Sequence, residues 1–229
     1  MVVVDSKAES RPIFGSANKE PIFETNKNIQ DAVASKHQGS LDFVEQPIGK
    51  ASDDMYSFLT LVQDDPTVQI VSNAQMAKVK QAIADLSPPE AEKFKGRPVL
   101  SASAPFKAGG RHSVASDSQQ YVQVDKGELK FKHAADLYLY PNTMMAVEVS
   151  GVELKDWLEC SANQFNQINP KITTSQNLIN WSHPTFNYDV IDGVTYKIDV
   201  TQPSKFDADC KVINENASRI VDLTYTNAE

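Results

Sequence analysis

The sequence predicts an α+β domain, with helices packed on a mixed sheet. Three observations carry this. Apolar residues recur at helical spacing across residues 66–87 and again across residues 151–165. From Pro98 onward, short alternating runs bounded by glycine, proline and asparagine take over, as strands do. And 229 residues are enough to bury a sizeable core.

The elements follow in order. Residues 1–24 mix Pro12, Gly15, Pro21 and charged groups without periodicity, and read as a linker or a loosely attached strand. Residues 28–45 place Ile29, Val33, Leu41 and Val44 at helical spacing, interrupted by Gly39. Ser52 is a good helix cap, with Asp53 and Asp54 in a first turn whose dipole favours acids. Met55, Phe58, Leu59 and Val62 then form an apolar face. Asp65-Pro66 opens a further helix, since proline's missing N–H is harmless at the first helical position. Val68, Val71, Gln75, Val79 and Ile83 give it a stripe, and Ser87-Pro88-Pro89 ends it. Val99-Leu100 leads into a small-residue loop at residues 101–111. Residues 121–124 alternate, Lys126-Gly127-Glu128 reads as a turn, and residues 144–149 as a strand. Residues 151–165 are an amphipathic helix with Leu154, Trp157 and Leu158 on its core face. Residues 188–200 read as a hairpin around Asp192-Gly193, and residues 219–225 as one further strand.

Composition narrows the function. A net charge of −8 argues against a surface that tracks long nucleic acid, though a local basic pocket for one small anion remains compatible with it. No run of apolar residues is long enough to span a membrane. Residues 1–5 are too short, and lack the basic start, for a signal peptide. The two cysteines, Cys160 and Cys210, read either as separate buried thiols or as a disulfide formed in an oxidising compartment.

Metal-dependent hydrolysis needs clustered ligands, and the four histidines (His37, His112, His133 and His183) are scattered. The pairs Asp53-Asp54 and Asp64-Asp65 sit at predicted helix starts and read as caps. Two segments look like binding elements. In residues 107–111, Gly109 and Gly110 let backbone N–H groups converge beside Lys107 and Arg111, which suits a phosphate or a ribose edge; the alternative is an ordinary turn. In Tyr140-Pro141-Asn142, proline fixes the backbone and with it the direction of the tyrosine ring, a platform for a nucleobase. The Asn142 amide can pair with a base edge or hold the turn. Tyr188 is a second candidate platform. Trp181 and Phe186 lie in the loop before it, with nothing to fix their direction.

Four segments occur in a fixed order: residues 103–111 (Ser-Ala-Pro-Phe-Lys-Ala-Gly-Gly-Arg), 139–143 (Leu-Tyr-Pro-Asn-Thr), 151–159 (Gly-Val-Glu-Leu-Lys-Asp-Trp-Leu-Glu) and 188–196 (Tyr-Asp-Val-Ile-Asp-Gly-Val-Thr-Tyr). Together they resemble the C-terminal, substrate-binding domain of the 5′-nucleotidase family. Within it they are most similar to the branch of periplasmic 2′,3′-cyclic-nucleotide 2′-phosphodiesterase/3′-nucleotidases. The resemblance runs from near Ala8 to Glu229. It implies that residues 1–24 link to a missing N-terminal metallophosphatase domain, and that residues 25–229 are a nucleotide-binding domain truncated at its C-terminal end. It implies no catalytic residue and no metal or other cofactor in this chain; divalent metal ions would belong to the missing domain. The expected partner is a 2′,3′-cyclic or 3′-nucleotide, held by Lys107, Gly109, Gly110, Arg111, Tyr140, Asn142 and Tyr188. A periplasmic location, implied by the same resemblance, favours a Cys160–Cys210 disulfide. Two rivals stay open: a stand-alone binding or structural domain, and 5′-nucleotidase or UDP-sugar hydrolase specificity.

Overall fold

Capping side chains and prolines set the helices. The computed structural model describes residues 5–15, 20–110, 118–138 and 140–225. Its helices are α1 (Lys27–Val44), α2 (Pro66–Ala84), α3 (Pro88–Ala91), α4 (Phe131–Leu137) and α5 (Gly151–Ser161). Asn26 accepts the N–H groups of Asn28 and Ile29 at the start of α1. Asp65 accepts that of Thr67 at the start of α2, with Pro66 in the first turn. Ser150 and Glu153 form a reciprocal capping box on α5. The chain divides into two units, Met1–Gln46 and Pro47–Glu229, so α1 falls in the first and every other helix in the second.

The second unit carries strands β1 (Pro47–Ala51), β2 (Met55–Tyr56), β3 (Ser101–Ser103), β4 (Gln123–Val124), β5 (Gly127–Lys130), β6 (Val190–Asp192), β7 (Val194–Ile198) and β8 (Ile220–Tyr225). They form four two-stranded antiparallel ladders: β1 with β5, β2 with β4, β3 with β6, and β7 with β8. With the helices this makes the fold α+β.

Several local expectations give way to tertiary pairing. Residues 52–62 are not a helix. Met55 and Tyr56 pair with Val124 and Gln123, and a single 3₁₀ turn, Ser57–Leu59, follows. Asp54 therefore caps no helix; its carboxylate accepts the N–H of Lys126 at 2.7 Å. Lys126-Gly127 does turn the chain, but Gly127 already belongs to β5. Residues 188–200 are not a hairpin, because β6 and β7 flank Gly193 and pair with different partners, β3 and β8. Residues 144–149 carry no ladder pairing. Trp157 is not core: it is partly exposed, and its indole N–H donates to Asp189 Oδ2 at 2.9 Å.

One apolar cluster gathers Leu154, Leu158 and Ala162 from the α5 region with Ile191 and Ile220. Another gathers Leu61, Ala108, Phe165 and Tyr188. A polar seam fixes β3 to α2: Gln75 Oε1 accepts the hydroxyls of Ser101 at 2.6 Å and Ser103 at 3.2 Å. This seam orients the loop that leaves β3. Cys160, near the end of α5, is joined by a disulfide to Cys210, with Cα atoms 5.4 Å apart.

Candidate functional site

The loop after β3 begins Ala104-Pro105-Phe106-Lys107 and is fastened at once. Ser57 Oγ donates to the Lys107 carbonyl at 2.5 Å, and accepts the Val122 N–H at 2.8 Å. The Lys107 ammonium pairs with Asp136 of α4 at 2.8 Å. Nothing local in the sequence marks Asp136 as this partner, because the two residues are 29 positions apart.

From α4 the chain enters the Tyr140 turn. The Asn142 N–H donates to the Tyr140 carbonyl at 2.8 Å, and the Asn142 amide donates to Tyr138 Oη at 3.2 Å. Asn142 thus holds the turn, one of its two predicted roles. The Phe106 ring meets Tyr138 edge-on, with centroids 4.7 Å apart, and Tyr140 at 6.3 Å. Phe106, which precedes Lys107 at the start of the glycine loop, is thus the described contact between this part of the chain and the Tyr-Pro-Asn turn. Tyr140 is 41% exposed there.

The two glycines are packed more tightly than an open anion cradle requires. Gly109 has φ +84°, and its N–H donates to the Gln120 carbonyl at 2.9 Å. A Cβ at Gly109 would collide with the ring of Tyr121, so this position needs glycine for space as well as for backbone conformation. Gly110 has φ +101°, and its carbonyl accepts from Thr185 Oγ1 at 3.2 Å. Arg111 and His112 lie outside the described residues.

Thr185 opens a 3₁₀ turn, Thr185–Asn187, beside the glycine loop, and the next residue, Phe186, is an exposed aromatic. No local signal directs Phe186; the Thr185–Gly110 bond is what places its neighbour on the glycine loop. Tyr188, by contrast, is 7% exposed and meets Phe165 edge-on at 5.5 Å. Burial raises its phenol pKa, and the ring belongs to the second apolar cluster, with no open face for a base. His183 is 2% exposed, and burial holds its imidazole below the ordinary histidine range. Burial raises the Asp189 carboxyl, opposed by the hydrogen bond from Trp157.

Two cavities bear on binding. One, about 10 Å³ and so of the size of a single water, lies beneath Pro105, Phe106 and Lys107 against Val68 and Val71 of α2. The other is an open groove of about 450 Å³ lined by Lys50, Ser52, Asp53, Asp54, Pro66 and Ile70 among others, and none of the predicted site residues lines it. Among the described residues, no group of three or more His, Cys, Asp or Glu side chains could hold a metal ion, and no helix is long and apolar enough to cross a membrane.

Comparison with known proteins agrees with this architecture. The sequence model of one family, "5′-nucleotidase, C-terminal domain", matches residues 47–229. A 2′,3′-cyclic-nucleotide 2′-phosphodiesterase/3′-nucleotidase of Yersinia enterocolitica is 54% identical over 97% of this chain and 33% of its own length. The protein of that description from Haemophilus influenzae is 47% identical over 98% of this chain and, again, 33% of its own length. The chain thus spans about a third of the length of these curated relatives. A solved 5′-nucleotidase precursor from Thermus thermophilus superposes with a TM-score of 0.55 at 13% identity, covering 87% of this chain and 29% of that one.

Proposed function

Because this chain belongs to the family of 5′-nucleotidase C-terminal domains, we propose that it is the nucleotide-recognition part of a longer 2′,3′-cyclic-nucleotide 2′-phosphodiesterase/3′-nucleotidase. In this reading residues 1–24 link to a metallophosphatase domain and residues 25–229 form the nucleotide-binding domain. The divalent metal ions that hydrolysis needs would be held outside residues 1–229. The observation that carries the reading is Tyr140, 41% exposed on a hydrogen-bonded turn and in contact with Phe106, the residue before the glycine loop. The ring stacks on the base, and Gly110 borders the sugar or phosphate. Binding the base helps to position the scissile phosphate. The Cys160–Cys210 disulfide supports a periplasmic location, where such bonds persist.

The test is kinetic, in the longer polypeptide. Tyr140→Ala should raise KM for 3′-AMP by about 5- to 150-fold, the equivalent of one stacked base, with a smaller change in kcat. Unchanged KM would defeat the stacking assignment. A second reading, that the glycine loop only packs, is favoured by the engagement of Lys107 with Asp136 and of the Gly109 N–H with Gln120. It predicts that Lys107→Met alters stability and leaves KM untouched.

A further inference from the structure

Residues 143–149 (Thr-Met-Met-Ala-Val-Glu-Val) have the composition of a strand without the neighbours of one. Among the described residues, none of them shares a backbone hydrogen bond with another segment. Met145 is 80% exposed and Val147 65%, and Met144 and Val149 are exposed as well. Both alternating sets of side chains therefore face solvent, whereas strands in folded domains bury at least one face. Yet the stretch is pinned. Asn142 is bonded to Tyr138 and Tyr140 at one end, Ser150 is locked into the capping box of α5 at the other, and Arg97 pairs with Glu148 between them.

A pinned apolar segment with free N–H and C=O groups is a template for strand addition. Its occupant follows from length. The relatives that match nearly all of this chain are covered by it over only 33% of their own length. A strand elsewhere in one longer polypeptide is present at a tethered, millimolar-scale effective concentration, which a free second copy does not reach. We propose that residues 143–149 form a strand of a larger sheet, paired with an extended segment of alternating apolar residues that lies outside residues 1–229 in the longer polypeptide. The proposal rests on the family relationship and not on the nucleotide-binding reading.

Amide hydrogen exchange decides it, compared between the 229-residue chain and the same polypeptide extended by its native flanking sequence on both sides. Exchange at residues 144–149 should be fast in the short chain and slower by about 100-fold or more in the long one. Val147→Pro, which deletes an N–H, and Val147→Asp, which keeps it but resists burial, should both lower the Tm of the long polypeptide and leave that of the short chain unchanged. Equally fast exchange in both polypeptides would overturn the proposal. So would protection in the short chain that grows with protein concentration, which would make a second copy the occupant. Nucleotide is absent from every arm, so the outcome does not depend on the proposed function.

Discussion

The carboxylate of Glu159 accepts the backbone N–H of Arg219 at 2.8 Å, while the Arg219 guanidinium turns to the carbonyls of Ala162 and Phe165. The two buried charges are thus satisfied mainly by backbone rather than by each other. Glu159, 1% exposed, also takes the Ile220 N–H at 3.0 Å and the Ser218 hydroxyl at 2.7 Å, so a single side chain on α5 anchors the start of β8. Removing it leaves buried N–H groups unpaired. Glu159→Ala should destabilise the domain by about 3 kcal/mol or more, read as a lower midpoint in urea. A change below about 0.5 kcal/mol would show that β8 is held by apolar packing alone.

The disulfide between Cys160 and Cys210 bridges a sequence separation of 50. In the chain-entropy model such a closure contributes about 4 kcal/mol, less any native strain. Replacing both cysteines by serine should lower Tm, and dithiothreitol should lower the Tm of the parent chain and leave that of the double variant unchanged. A parent chain indifferent to reductant would remove the bond from the stability account.

Tyr140 and Tyr188 should respond oppositely to truncation. Tyr188→Ala empties part of a buried cluster and should cost about 3–5 kcal/mol. Tyr140→Ala removes an exposed ring and should change stability by about 0.5 kcal/mol or less while weakening nucleotide binding. Chemical denaturation of the two variants, side by side, makes the comparison. Equal losses would mean that Tyr140 packs as a core residue.

His183 makes stability depend on pH. Burial lowers its folded-state pKa below the ordinary 6.5, so the unfolded chain binds the proton more readily. Its contribution is complete above pH 6.5 and lost as pH falls toward the folded value. Asp189 works in the other direction: its folded pKa is raised above 3.8, so its contribution is present at low pH and is lost as pH rises through the folded value. Urea midpoints measured from pH 7.5 down to 5 should fall in the parent chain and fall less in His183→Gln. An identical slope in the two would assign the loss to other groups.

Local chemistry made much of this molecule legible. Asp65-Pro66 starts α2 and Ser87-Pro88 follows its end, because caps and proline act on their own backbone and need no distant partner. The fixed Tyr140 turn and the two left-handed glycines were readable for the same reason. Pairing was not. Ser52-Asp53-Asp54 carries a sound helix-start signal, yet Met55 and Tyr56 gain ladder bonds from Gln123 and Val124, and those outweigh a marginal local preference. Asp192-Gly193 looks like a hairpin turn, but the flanking strands pair with β3 and β8, which lie far away in sequence. The site divides the same way. From the sequence came only candidates for stacking on a base or approaching a phosphate. The folded chain adds that Tyr188 lies in the core, that Lys107 faces Asp136, and that Phe106 contacts Tyr140. Burial and charge pairing depend on what the rest of the chain brings alongside, and no window of neighbouring residues contains that information.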